Sequence, residues 1–95
     1  MSDQSGALTG TLYIVATPIG HLDDLGHRAA SILQNVQAIF AEDTRHSQLL
    51  MQHYHISTPM LSLHEHNEAE RIDNIVERLR SGDDLAIISL SLIHI

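Results

Sequence analysis

Three short segments hold most of the residues in this chain that can do acid–base or binding chemistry. Glu42-Asp43-Thr44-Arg45 sets two carboxylates, a hydroxyl and a guanidinium side by side. Asp43 can serve there as a base or hold Arg45 in place. The competing reading is a helix start, with Asp or Thr as N-cap and acids favoured near the positive end of the dipole. His64-Glu65-His66-Asn67-Glu68 can offer two imidazoles on one face of an extended segment, with Glu68 nearby. Two histidines without a third ligand at fixed spacing do not specify a metal, so none is assigned. A polar loop leading to a capped helix competes. Thr17-Pro18-Ile19-Gly20 can present backbone groups to a small ligand. It lacks the three glycines of a dinucleotide fingerprint and the Gly-Lys-Ser of a phosphate loop, so an ordinary turn competes here too. His21, His27, His46, His53 and His55 are scattered and read as solvated surface residues.

The elements that must position these segments follow from the apolar pattern. Thr11–Ala16 is a short β-branched run that reads as a buried strand, ended by Pro18 and Gly20. Asp23 or Asp24 can cap a helix with Leu25, Ala29, Ile32, Leu33 and Val36 at helical spacing. Val36–Ala41 is a second strand, interrupted by Gln37, and a helix with Leu49, Leu50, His53 and Tyr54 on one side follows. Pro59 breaks the chain before a third strand over 60–63. Asn67, with Glu70 as capping-box partner, opens a helix whose apolar positions are Ala69, Ile72, Ile75, Val76 and Leu79. Ser81-Gly82 ends it, and Leu85 begins a fourth strand. The spacing predicts strands near 11–16, 36–41, 60–63 and 85–90 and helices near 25–35, 44–54 and 67–80. Short apolar strands alternating with helices indicate an α/β fold, a parallel sheet with flanking helices. Ligands of such sheets bind beyond the carboxyl ends of the strands, where all three polar segments fall.

Composition removes several classes. Ninety-five residues allow one domain. The absence of cysteine excludes disulfides, thiolate metal sites and cysteine nucleophiles. Aromatics are 3%, so the core must be aliphatic. No apolar run reaches the roughly 18 residues of a membrane span. The small, polar start over 1–10 carries no positive charge and does not read as a signal peptide, and 1–9 reads as a disordered lead-in. Twelve acids oppose five arginines, with no lysine, for a net charge of −7. Protonating all eight histidines brings that only to +1. Polyanion binding by these residues alone is unfavourable.

Taken together, Gly10-Thr-Leu-Tyr-Ile-Val-Ala-Thr-Pro-Ile-Gly20, Ala41-Glu-Asp-Thr-Arg45 and His64-Glu-His-Asn-Glu68 closely resemble the start of the bacterial small-subunit ribosomal RNA cytidine 2′-O-methyltransferases, members of the tetrapyrrole methylase superfamily. The resemblance covers 10–89 and implies an incomplete N-terminal domain of the tetrapyrrole methylase fold. It implies S-adenosylmethionine as cofactor and methyl transfer to a ribose 2′-hydroxyl. Thr17, Pro18, Ile19 and Gly20 match the first cofactor-side loop. Asp43 and Arg45 match an acid–arginine signature, and His64 belongs to the third; these are the expected catalytic residues. Glu42, Thr44 and Asn67 fall on the substrate side. His21 departs from the asparagine usual in the family. The implied partner is small-subunit ribosomal RNA, held mainly by regions outside these residues. The complete protein is expected to be a cytoplasmic homodimer with no membrane contact, and the fragment inactive. A tetrapyrrole methylase of the same superfamily and a non-catalytic acidic α/β interaction module are the alternatives.

After Ser89 the family pattern continues with Asp-Ala-Gly-Thr-Pro, whereas this chain reads Leu-Ser-Leu-Ile-His-Ile over 90–95. The same string translates CTG TCT CTT ATA CAC ATC, the mosaic end of a transposase adapter used in sequencing libraries. Residues 90–95 are therefore expected to be a joining artefact, with the gene continuing past Ser89. Genomic DNA showing a stop codon directly after Ile95 and no adapter join overturns this. Leu85–Ile95 is apolar and uncharged, and is expected to pair at an open edge and drive self-association.

Overall fold

The structure, a computed structural model, describes residues 9–17, 25–64 and 66–90. Residues 1–8 of the expected lead-in, Pro18, Ile19, Gly20, His21, the proposed caps Asp23 and Asp24, Glu65 and 91–95 lie outside the described residues; Thr9, placed in the lead-in, is instead tied to the end of α3, its N–H donating to the Leu79 carbonyl at 3.2 Å. The elements run β1 (Leu12–Thr17), α1 (His27–Asn35), β2 (Ala38–Ala41), α2 (Thr44–His53), β3 (Met60–Ser62), α3 (Glu68–Arg80) and β4 (Leu85–Leu90). The four strands form one parallel sheet in the order β1-β4-β2-β3. The α/β parallel sheet expected from the apolar runs is present.

Strand alternation divides the core between two faces. Val15, Ile39, Ala41, Ala86 and Ile88 pack with Leu33 of α1 and with Leu50 and Met51 of α2. Ala38, Phe40 and Leu85 pack with Ile75 and Leu79 of α3. Helices α1 and α2 thus cover one face and α3 the other. Gln37, which interrupts the second apolar run, extends the ladder: its N–H donates to the Asp84 carbonyl at 2.8 Å and its Oε1 accepts the Asp84 N–H at 2.6 Å.

Five expectations are corrected. Helix α1 is N-capped by Gly26 without a side-chain hydrogen bond, not by Asp23 or Asp24. Helix α2 turns Ser47, Leu50 and Met51 inward, while Leu49 is 57% exposed, because the buried stripe follows i, i+3 and i+4 from Ser47. On α3, Ala69 and Ile72 are exposed; only Ile75 and Leu79 reach the sheet fully. Strand β1 is not buried on both sides: Ile14 is 65% exposed, because on that face α3 packs over β2 and β4 and not over β1. Strand β4 in turn is not an open edge, since β1 and β2 flank it. Among the described strands the edges are β1 and β3, both uncharged, and β1 is the longer.

Helices α2 and α3 end alike. In α3 the Asp83 and Gly82 amides return to the Arg78 and Leu79 carbonyls, with Gly82 at φ 97°. In α2 the Ile56 and His55 amides return to Met51 and Gln52, but the left-handed residue is His55, at φ 56°. An L-residue pays strain there that glycine avoids. His55→Gly is therefore expected to stabilise the chain by about 1 kcal/mol in urea unfolding. A loss of stability would show that His55 contributes contacts outweighing its backbone strain.

Candidate active site

The strands are parallel, so their carboxyl ends share one edge of the sheet. Along that edge stand Thr17, then the end of β4 with Ser89, then Glu42 and Asp43, then His64. The chain leaves β2 toward α2 on one face and leaves β3 toward α3 on the other. Adjacent strands whose connections part in this way open a crevice between them. A cleft of about 440 Å³ lies there, lined by Glu42, Leu63, His64, Glu68, Ile87, Ile88 and Ser89. Its volume is within the range of roughly 300–1,000 Å³ common for small-molecule sites. Apolar side chains from β4 and the end of β3 stand beside two carboxylates, an imidazole and a hydroxyl.

The expected site residues fall in three groups. Glu42 and His64 line the cleft. Asp43, Thr44 and Arg45 follow Glu42 on the same edge. Asp43 is the N-cap of α2, its Oδ1 accepting the His46 N–H at 3.1 Å; Thr44 is half-buried and Arg45 exposed. Thr17 ends β1 and is fully buried, with Oγ1 lacking a hydrogen-bond partner among the described residues. Pro18, Ile19 and Gly20 lie outside the described residues. Asn67 occupies the N-cap position of α3, but its side chain does not cap the helix, and the expected box with Glu70 is not formed. Its amide turns back to β3, donating to Ser62 Oγ at 3.1 Å and accepting the His64 N–H through Oδ1 at 3.0 Å. Local pattern predicts a capping box there; the free end of an edge strand offers the stronger competing partners.

Sequence reasoning missed Leu63, Ile87, Ile88 and Ser89 as cleft residues, and Arg71 as a support. Ser89 carried one usable signal, its place at the end of a strand. Arg71 carried another, since it lies one helical turn beyond Asn67 and donates from Nε to the Ser62 carbonyl at 2.9 Å.

Asp43 can be tested for two separable roles. Asp43→Ala is expected to cost about 1 kcal/mol through the lost cap, and Asp43→Asn to cost little, because asparagine caps as well. In a longer protein that methylates, Asp43→Asn should nevertheless lose most turnover if the carboxylate takes part in chemistry. Full turnover in Asp43→Asn returns the residue to capping alone.

Comparison with known proteins adds to the geometry. Residues 11–90 match the family model described as Tetrapyrrole (Corrin/Porphyrin) Methylases. The chain is 54% identical over 82 residues to "Ribosomal RNA small subunit methyltransferase I" of Pasteurella multocida, which covers 86% of this chain and 29% of that protein. It is 52% identical over 80 residues to the protein of the same name from Pseudomonas aeruginosa, covering 84% and 28%. For Escherichia coli O157:H7 the identity is 46% over 80 residues, covering 84% and 28%. The chain spans less than a third of the length of these relatives.

Proposed function

Because the chain belongs to the tetrapyrrole (corrin/porphyrin) methylase family, we propose that it is part of an S-adenosylmethionine-dependent methyltransferase acting on a cytidine ribose 2′-hydroxyl of small-subunit ribosomal RNA. The observation that carries the reading is the cleft where β2 and β3 part, lined by Glu42, His64 and Glu68 from two of the three segments of the RNA-methyltransferase resemblance. Its donor set fits the cofactor. The Glu42 and Glu68 carboxylates suit a positive charge or a ribose diol, and Leu63, Ile87 and Ile88 suit an adenine face. The buried, unpartnered Thr17 hydroxyl offers one more polar atom on the same edge. When bound, S-adenosylmethionine supplies an electrophilic methyl group. The residues of this chain supply orientation and a charged wall.

An acidic cleft does not attract phosphate. Among the expected site residues only Arg45 is a permanent cation, so most RNA contacts fall to parts of the protein outside this chain. The reading carries with it a cytoplasmic substrate and a homodimeric complete enzyme. The 95-residue chain alone should transfer no methyl group and should bind S-adenosylmethionine weakly or not at all.

The test is methylation of small ribosomal subunits by a version extended through the natural gene, with the modified nucleotide mapped after nuclease digestion. A label on a cytidine ribose is expected. A label on a base overturns the 2′-hydroxyl assignment, and transfer only to a tetrapyrrole overturns the RNA assignment. Calorimetry on the 95-residue chain addresses the remainder: micromolar cofactor affinity would place the essential binding groups within these residues.

A further inference from the structure

The end of β3 raises a hydrogen-bonding problem that the molecule solves in an informative way. Pro59 O accepts from Ile39 N and Leu63 N donates to Ala41 O, each at 2.9 Å, so these odd-numbered positions face β2. Ser62 then directs its carbonyl away from β2, to the side where no described strand pairs with it. Two side chains from the next turn and helix close on it. Arg71 Nε donates to Ser62 O at 2.9 Å, and Asn67 Nδ2 donates to the same oxygen at 3.4 Å and to Ser62 Oγ at 3.1 Å. The opposite end of the Asn67 amide accepts the His64 N–H at 3.0 Å, and the Asn67 N–H returns to His64 O at 3.0 Å. His64 is therefore tied to Asn67 at both of its backbone polar groups, and Asn67 is tied to the strand.

The ring of His64 is also engaged. The His66 N–H donates to His64 Nδ1 at 3.2 Å, and the two imidazoles meet edge to face with centroids 5.8 Å apart. An Nδ1 that accepts an amide proton carries none itself, so the neutral ring holds its proton on Nε2. His64 lines the cleft together with Glu42 and Glu68.

We propose that Asn67 and Arg71 are positioning residues that hold His64 at the cleft as a hydrogen-bond donor through Nε2, directed at an oxygen acceptor of the bound ligand. Proton removal from the substrate hydroxyl then does not fall to His64, because Nδ1 is taken and Nε2 already carries a proton. It falls to a carboxylate of the same edge or to water. The consequence for catalysis rests on the proposed methyl transfer, but the state of the ring does not.

Histidine side-chain nitrogen–proton correlation NMR on the 95-residue chain, at about pH 8 where imidazoles are neutral, reads the tautomer directly. The His64 signals are identified by their loss in His64→Gln. The wild-type ring is expected to be protonated on Nε2. Asn67→Ala and Arg71→Ala are expected to lose that single form for an exchanging mixture. If Asn67→Ala does not fold, Arg71→Ala makes the same comparison. An Nδ1-protonated ring in the wild type, or a tautomer that neither variant alters, overturns the proposal. Since neither cofactor nor RNA is present, a failed methylation assay leaves this result standing and removes only the functional reading.

Discussion

Phe40→Ala is expected to cost about 3–5 kcal/mol in urea unfolding, the usual range for a fully buried phenylalanine. Phe40 is the single phenylalanine and is 0% exposed. It sits in β2, between β4 and β3, and packs in the cluster that includes Ile75 and Leu79 of α3 and Leu85 of β4. With few aromatics elsewhere, no neighbour of similar size can fill the gap. A domain of this size has a total stability of roughly 5–14 kcal/mol, so the loss removes a large share of it. The midpoint should fall with little change in slope. A loss below about 1 kcal/mol would mean that α3 can settle onto the sheet without this side chain.

Arg45→Ala is expected to act the other way, on turnover and not on stability. Arg45 is exposed in the first turn of α2, beside the cleft residue Glu42. Removing an exposed side chain with no hydrogen bond or ion pair among the described residues usually shifts stability by less than about 0.5 kcal/mol. In a complete, methylating version, loss of a charge that positions RNA should lower turnover by about 10²-fold. Lysine should restore it only in part if the guanidinium binds through two parallel donors. Equal turnover in Arg45→Ala, or a matching loss of stability, would make the arginine structural.

The apolar runs made four strands and three helices legible because each run is short and ends in Pro, Gly or charged residues. The same feature made the candidate edge legible: the polar residues after β1, β2 and β3 are what stop those runs. Strand order was not legible. Ile14 and Ile88 lie in runs of similar composition, yet one is largely exposed and the other buried, because β4 enters the sheet between β1 and β2. No local periodicity encodes that insertion. Helix faces failed where several stripes were equally apolar, as with Leu49 against Met51. Asn67 failed for a third reason. Its competing partner, the end of β3, becomes available only once the edge strand has been placed.

The insertion of β4 also has a consequence in time. Strand β1 is ladder-paired to β4, whose pairing with Leu12 begins at Leu85, about 70 residues downstream. Synthesis at about 5–20 residues per second delivers that partner roughly 4 to 15 s after β1. During the wait β2 and β3 can already pair with each other, while β1 waits uncharged and unpaired. Ribosome-bound chains halted before Leu85 should therefore expose β1 to chaperones or proteases, and protection should appear abruptly once β4 has emerged. For these residues the hazard of the unpaired strand is greatest before β4 has emerged, and it is β4, made after β2 and β3, that gives β1 its partner.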